Sequence, residues 1–245
     1  MQDNYRKQWE NLGKSDPYWA VLTDPSKKGE KWGKNEFFQT GEAEVDNLFR
    51  KLSEHNIEVK LDSVLDFGCG VGRLSRGLAK RFNKVKAIDI SSEMLKEATR
   101  VNSEFRNIEF IHNSTTHIDS VKDESIDLLY SNIVLQHIPT GNQVKYLREF
   151  CRIINPNGII VIQIPSTFNL SHWSGWVHMI LGNKVMNIFR KIKYGSNSVM
   201  ELHCLKKEKV LNLFSGLKMD VLKVERHDSA GDTFISYMYY VQKPS

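Results

Sequence analysis

Three glycines at alternate positions, preceded by an acid, form the part of this sequence that most clearly points to chemistry. The segment runs from Asp66 through Phe-Gly-Cys-Gly-Val to Gly72. Glycine has no side chain to hold a ligand away from the backbone, and a carboxylate beside the turn attracts a positively charged group. The pattern therefore predicts a site for a nucleotide-like ligand that carries a cation, lined by Asp66, Gly68, Cys69, Gly70 and Gly72.

A second acid ends the next predicted strand. Asp89 follows Asp66 by roughly the 20 residues at which nucleotide-binding folds place the carboxylate that holds the ribose hydroxyls. An ionised Asp can accept from both hydroxyls, and Ile90 and Met94 are predicted to form an apolar floor for an adenine ring. The alternative interpretation is that Asp89 only stabilises the positive end of the helix that follows.

The strand and glycine turn together resemble the first motif of class I S-adenosylmethionine (SAM)-dependent methyltransferases. The motif here is Val64-Leu-Asp-Phe-Gly-Cys-Gly-Val-Gly-Arg73. Residue 73 is Arg, whereas folds that bind dinucleotides carry their third glycine there, as G-x-G-x-x-G. Residues 123–139 are a second match, similar to the fourth strand and following loop of the small-molecule, type 11/12-like branch. The resemblance implies SAM as cofactor and S-adenosylhomocysteine as product.

The same resemblance implies further cofactor contacts. After the third predicted strand the family commonly has an acid that accepts from the adenine amino group, and this chain has Asn113 or Ser114 there. An amide carbonyl or a hydroxyl can accept the same hydrogen bond, less strongly than a carboxylate. Thr40, which precedes the first strand, is a candidate for the SAM carboxylate. Ser131 and Asn132, after the fourth strand, complete the implied set.

Strands and helices alternate along the chain, which predicts an α/β fold with one doubly wound, mostly parallel sheet. The resemblance implies a Rossmann-like sheet of seven strands with the last one antiparallel, plus N-terminal and lid helices. Hydrophobic patterns predict helices over residues 74–82 and 144–154, and strands over 84–89, 108–111, 159–164, 219–225 and 234–241. We expect one domain over residues 1–245, made of an N-terminal helical cap (1–60), a SAM-binding core (61–164), a lid and acceptor insertion (165–205), and a last helix with two strands (206–245).

Two regions outside the common core are expected to decide the acceptor. Residues 5–41 carry aromatic side chains among charges, and we expect them either to cover the cofactor or to anchor an N-terminal arm on the core. In residues 165–200, apolar side chains recur at helical spacing and Gly182 divides the run into two short helices. This insertion is predicted to be a lid over the acceptor. The alternative is a basic amphipathic element that rests on a membrane, and a lipid-linked acceptor would use both properties.

His137 is the predicted catalytic base. It follows the fourth strand and so lies toward the carboxyl edge of the sheet, where this architecture binds ligands. A hydroxyl acceptor must lose its proton as it attacks, whereas a neutral amine can lose one later. The alternative is that His137 packs or orders its loop, and His172, His178 and His203 are the other candidates. These histidines lack the spacing of a metal site, so no metal is predicted.

Composition indicates a globular protein and argues against secreted, membrane-spanning, disulfide-stabilised and zinc-binding classes. The chain has 245 residues, of which 40% are hydrophobic, and this is enough for a full core. It shows neither an apolar signal core at its N-terminus nor an apolar run of the ~20 residues that a membrane span needs, so we expect a cytoplasmic location. Its three cysteines lack C-x-x-C spacing, which argues against a disulfide framework or a zinc site.

The positive charge, 34 Lys and Arg against 29 Asp and Glu, permits acidic partners without requiring them. Nucleic acid is disfavoured as a substrate. N-methyltransferases of base amino groups usually carry Asn/Asp-Pro-Pro-aromatic after the fourth strand, where this chain has Asn132-Ile-Val-Leu135. We therefore expect a small-molecule acceptor, with a peripheral membrane contact or a lipid-linked acceptor as an open alternative.

Three functions follow from these observations. The leading hypothesis is a SAM-dependent methyltransferase that moves the sulfonium methyl, by in-line displacement, to an oxygen or nitrogen of a small molecule such as a sugar, glycan or secondary-metabolite precursor. The second is an NAD-type oxidoreductase of Rossmann fold, which Arg73 disfavours. The third is a noncatalytic partner protein with a methyltransferase fold, against which the intact Asp66 and Asp89 argue.

Overall fold

The structure, a computed structural model, describes residues 2–194 and 200–245. Residues 195–199, which belong to the predicted insertion, lie outside the described residues. The chain divides into two units, Met1–Thr115 and Thr116–Ser245. Among the described residues, every helix is too short or too polar to traverse a lipid bilayer.

In the first unit, helices alternate with parallel strands. The helices are α1 (Gln2–Ser15), α2 (Pro17–Val21), α3 (Lys34–Glu54), α4 (Arg73–Ala79) and α5 (Ser92–Val101), and the strands are β1 (Ser63–Phe67), β2 (Lys84–Asp89) and β3 (Ile108–His112). A short 3₁₀ turn covers Pro25–Lys27. Strand β2 pairs in parallel with both β1 and β3. Every residue of β1 is buried, as expected of a parallel strand covered on both faces.

The second unit contains the remaining elements. The helices are α6 (Thr140–Ile153), α7 (Trp173–Tyr194) and α8 (Lys207–Gly216), and the strands are β4 (Ile126–Ser131), β5 (Ile154–Phe168), β6 (Asp220–Arg226) and β7 (Phe234–Gln242). Strand β4 pairs in parallel with β5, and β7 is antiparallel to both β5 and β6. The strand order is β3-β2-β1-β4-β5-β7-β6 in a seven-stranded sheet. The predicted sheet and its antiparallel last strand are confirmed.

Several element boundaries differ from the prediction. Helix α4 ends at Ala79 and not at 82, since its apolar pattern continues into a turn in which Phe82 is still buried. Helix α6 begins at Thr140, directly after Pro139, and so one turn earlier than predicted. Residues 155–158, which separate the predicted helix from the predicted strand over 159–164, lie inside β5, where the pairing with β4 shifts register and Asn157 takes a left-handed φ of 62°. Asn tolerates that conformation, so the extra residues form an irregularity in the strand.

The predicted break in the insertion is confirmed. Gly182 has φ 62° and ψ 174°, values that no helix accommodates, so two helical stretches meet there within α7. The N-terminal region is helical as well, in α1, α2 and the start of α3.

Candidate functional site

The glycine turn connects β1 to α4 through left-handed backbone. Gly68, Gly70 and Gly72 have φ values of 77°, 53° and 80°, which side chains with a Cβ rarely adopt. The backbone N–H groups of Gly68 and Cys69 both donate to the Ile88 carbonyl, at 2.8 and 3.0 Å. These bonds tie the turn to the end of β2, so the spacing noted in the sequence forms a fixed loop.

Asp89, the last residue of β2, binds the same loop. Its Oδ2 accepts from the Gly70 N–H and its Oδ1 from the Ser91 N–H, both at 2.8 Å. Burial raises the pKa of Asp89, and the N–H groups of Ser91, Gly70 and Ile90 oppose that rise. A carboxylate offers about four lone-pair sites, so these three donors leave room for at least one ribose hydroxyl.

Asp66, near the end of β1, is buried beneath the turn with 1% of its surface exposed. Its Oδ2 accepts from the Ser75 hydroxyl at 2.6 Å. Burial raises the pKa of Asp66 from 3.8 to about 7, against the opposing effects of the Ser75 hydrogen bond and the Arg73 charge. A ligand cation next to Asp66 would favour its ionised form.

A buried ion pair that the sequence analysis missed supports the turn from α3. The Arg73 guanidinium donates to Glu44 Oε2 at 2.7 Å and to the Thr40 hydroxyl at 3.4 Å. Gly41 lies so close to α4 that a Cβ there would be 2.2 Å from the Arg73 carbonyl oxygen. The predicted cofactor residue Thr40 is thus placed beside Arg73. Acids and bases are frequent in helices, and nothing local in the sequence marks this pair as buried.

The N-terminal arm covers the loop and the start of α5. Val21 of α2 lies over Gly70, where an added Cβ would be 2.5 Å from its Cγ2 atom. Glu10 of α1 accepts from the N–H groups of Ser92 and Glu93 at 3.0 and 3.1 Å. Burial raises the pKa of Glu10, but these hydrogen bonds outweigh it and the pKa is lowered. No local sequence pattern predicts that Glu10 binds there.

Aromatic side chains fix this arm to α3. The ring of Tyr18 stacks on Phe37 with 4.7 Å between centroids, and Trp32 meets Phe37 edge-on at 5.7 Å. These aromatic contacts anchor the arm on α3, and Val21 of the same arm lies against the turn.

The predicted adenine contacts lie around Asp89. Ile90 and Met94 are both buried, with 9% and 1% of their surface exposed, so Met94 is a core side chain in this structure. The Asn113 N–H donates to the Asp89 carbonyl at 3.0 Å, and its side-chain amide donates to the Thr115 carbonyl at 2.8 Å. Asn113 is thereby held close to the ribose candidate, and Ser114 follows it in the same loop.

Cys69 is a packing residue in this geometry. Its side chain packs with Ala87 and Leu95 in a buried cluster. Burial raises the pKa of the Cys69 thiol well above its usual range. The thiol is therefore protonated at neutral pH and is no nucleophile.

The remaining predicted residues belong to the second unit. Ser131 and Asn132 are buried at the end of β4, and Asn132 Oδ1 accepts from the Ser229 hydroxyl at 2.8 Å. The next residue, Ile133, has φ 62°, which is strained for a β-branched side chain. Its N–H donates to Gln163 Oε1 at 3.0 Å. Such strain clusters at functional positions, and nothing in the sequence predicted it.

His137 is buried in a 3₁₀ turn, Leu135–His137. Its Nδ1 lies 3.1 Å from the Glu201 carbonyl oxygen and its Nε2 lies 3.4 Å from the Gln136 side-chain nitrogen. A carbonyl can only accept, so Nδ1 carries the proton and Nε2 is the basic atom. The basic nitrogen is thus oriented by its neighbours, an arrangement that suits either a base or a residue that orders the loop.

The structure therefore brings together one group of predicted residues in the first unit, namely Thr40, Asp66, Gly68, Cys69, Gly70, Gly72, Asp89, Ile90, Met94, Asn113 and Ser114. Ser131, Asn132 and His137 lie in the second unit.

Residues 65–162 match the family model of a methyltransferase domain. The chain is 31% identical over 99 residues to a phosphoethanolamine N-methyltransferase of Triticum aestivum, which is 40% of this chain and 20% of that protein. It is 27% identical over 150 residues to a malonyl-[acyl-carrier protein] O-methyltransferase of Buchnera aphidicola, 61% of this chain and 56% of that protein. The chain thus spans well under two thirds of the length of either relative.

A solved structure with a similar fold is the magnesium protoporphyrin IX methyltransferase of Synechocystis, determined with bound S-adenosylhomocysteine. It superposes with a TM-score of 0.64 at 16% identity and covers 99% of both chains. At that identity the similarity concerns the fold.

Proposed function

We propose that this chain is a class I SAM-dependent methyltransferase and that it transfers a methyl group from SAM to an oxygen or nitrogen of a small molecule. Asp89 carries this proposal, since its carboxylate joins the glycine turn to the end of β2 and keeps room for a ribose hydroxyl. The two relatives are named for methyl transfer to different atoms, nitrogen in one and oxygen in the other. The cofactor half of the reaction is therefore better supported than the identity of the acceptor.

In this proposal the protein catalyses the transfer by positioning the acceptor against SAM. Methyl transfer from a sulfonium is an in-line displacement that requires the acceptor atom, the methyl carbon and the sulfur to be aligned and water to be excluded. The loop of Gly68, Gly70 and Gly72 would lie against the cofactor, and Asp66 would favour its positively charged amino group. Val21 and the rest of the N-terminal arm would shield this side from water.

Transfer of labelled methyl from SAM into a fractionated cell extract tests the proposal. We expect label in the polar small molecules, or in lipids and glycans, and none in boiled controls. Label confined to protein or nucleic acid would contradict the small-molecule acceptor, and no label in any fraction would contradict methyl transfer itself.

Asp89→Ala should weaken SAM binding by about 1.5 to 3 kcal/mol, which is the range for a hydrogen bond to a charged group. This corresponds to a rise in Kd of about ten- to a hundredfold, measurable by calorimetry. Asp89→Asn keeps one acceptor oxygen and should lose less. Unchanged affinity in a folded Asp89→Ala variant would refute the ribose role.

We also propose His137 as the base for a hydroxyl acceptor. His137→Ala should then lower kcat by about a hundredfold or more and leave the Kd for SAM unchanged, since general bases contribute that much to proton transfer. Equal kcat values for the two proteins would assign His137 to loop ordering.

A further inference from the structure

The first part of α7 presents large apolar side chains to solvent. Trp173 is 77% exposed and Ile180 is 71% exposed, while Trp176 and Met179 are each 47% exposed. Trp173, Trp176 and Ile180 follow one another at the i, i+3, i+7 spacing of a single helix face. We call these four side chains the α7 apolar face. Soluble domains seldom expose a contiguous patch of this kind unless it binds something.

The start of α7 is firmly attached to the second unit. The Asn169 N–H donates to the Thr233 carbonyl at 2.8 Å and its side-chain amide to the Asp232 carbonyl at 3.0 Å. Gly175 lies so close that a Cβ would be 2.0 Å from the Asn169 carbonyl oxygen. The Trp176 indole N–H donates to the Leu170 carbonyl at 2.7 Å. The indole is therefore held by its polar atom while much of its ring stays exposed.

The charge of this region has one sign. The sequence has no Asp or Glu between Glu149 and Glu201, although the chain contains 29 acids. Within that stretch, α7 carries four cations, Lys184, Arg190, Lys191 and Lys193. A second copy of the chain would bring a segment of the same positive charge, so repulsion disfavours self-association through this segment. Anionic phospholipid headgroups are complementary to it.

We propose that α7 docks on the surface of a lipid bilayer that contains anionic phospholipids. Trp is the side chain best suited to the boundary between headgroups and acyl chains, because its ring is apolar and its N–H is polar. The α7 apolar face would enter that boundary, and the net positive charge of the segment would favour anionic headgroups over neutral ones. This docking concerns binding alone and does not depend on methyl transfer.

Cosedimentation of the full chain with lipid vesicles tests the proposal. One set of vesicles contains phosphatidylcholine alone, and the other contains equal parts of phosphatidylcholine and phosphatidylglycerol. We expect binding to the anionic vesicles only, with a blue shift of the Trp fluorescence and a loss of binding in high salt. The double variant Trp173→Ser/Ile180→Ser should reduce partitioning about tenfold or more, because it removes two apolar anchors.

Two further variants make the test specific. Lys191→Gln/Lys193→Gln leaves the α7 apolar face intact and should reduce partitioning about 25-fold, since each cation near an anionic surface contributes about a fivefold factor. Leu222→Ser changes a side chain on β6 that is 42% exposed, and it should bind vesicles like the parent. Circular dichroism checks that each variant is folded.

Failure to bind the anionic vesicles would overturn the proposal, and so would equal binding by the parent and both double variants. Equal binding to neutral vesicles would refute the role of the cations. A rise in the KM for the acceptor in Trp173→Ser/Ile180→Ser, without any effect on vesicles, would make α7 a lid over the acceptor and would also overturn the proposal.

Discussion

Asp66→Asn should make the protein more resistant to unfolding at alkaline pH than its parent. Burial raises the pKa of Asp66 from 3.8 to about 7, so the folded state holds this proton more tightly than the unfolded state. The free energy of unfolding therefore falls as the pH rises between those two values. Above them, the buried carboxylate is charged and destabilises the folded state. The full difference corresponds to about 4 kcal/mol, at about 1.4 kcal/mol per pKa unit. An Asn side chain carries no charge and so avoids this destabilisation, and its amide oxygen can still accept the hydrogen bond from the Ser75 hydroxyl.

Urea unfolding of both proteins between about pH 5 and pH 8 measures the effect. The free energy of unfolding of Asp66→Asn, relative to the parent, should increase with pH across this window. Asp62→Asn is the matched control, because the Asn83 hydrogen bond and the Lys84 charge lower the pKa of Asp62. Asp62 therefore stays ionised across this window, and Asp62→Asn should leave the slope of stability against pH unchanged. A parent and an Asp66→Asn variant with parallel pH profiles would show that Asp66 is not a perturbed acid.

The same linkage extends to the cofactor. If the SAM amino group lies beside Asp66, binding favours the ionised carboxylate and releases a proton. The affinity for SAM should then increase between about pH 6 and pH 8 in the parent, and this increase should be absent in Asp66→Asn.

Glu44→Ala should destabilise the protein by about 3 kcal/mol or more. The Arg73 guanidinium is 4% exposed, and removal of Glu44 would leave it buried without its carboxylate. Breaking a buried ion pair from one side costs this much because the remaining charge stays desolvated. Glu44→Gln, which can still accept a hydrogen bond, should cost less.

The same helix offers a control for this prediction. Glu42 pairs with Lys80 at 2.7 Å near the surface, where both side chains are partly exposed. Glu42→Ala should cost less than about 1 kcal/mol, as exposed pairs do. Similar losses for Glu42→Ala and Glu44→Ala in urea unfolding would show that the Arg73 pair contributes no more than a surface contact.

Local patterns were sufficient to predict most of the fold and the centre of the candidate site. The glycine turn, its strand and the helix after it are contiguous in sequence, so the spacing of Gly68, Gly70 and Gly72 determines their geometry directly. Asp89 was predicted from its position at a strand end, and the structure places it on the same turn. Gly182 was predicted to break α7 for the same local reason.

Contacts between distant segments could not be predicted in this way. Glu10 binds the start of α5 more than 80 residues away, and Arg73 forms an ion pair with Glu44 on another helix. In the sequence alone, Glu10 and Glu44 are indistinguishable from other acidic residues of exposed helices. The left-handed Ile133 depends on the buried Gln163, and no periodicity indicates a strained backbone. Helical spacing predicted an apolar face on α7 but not that this face would be exposed.

Calorimetric titration of the purified chain with SAM, S-adenosylhomocysteine and NAD⁺ tests whether the glycine turn of the first unit binds SAM. We predict saturable binding of SAM and S-adenosylhomocysteine, weakened in Asp89→Ala, and no competition from NAD⁺. Absence of binding by both sulfur ligands, or tighter binding of NAD⁺ than of S-adenosylhomocysteine, would refute SAM as the ligand of this turn.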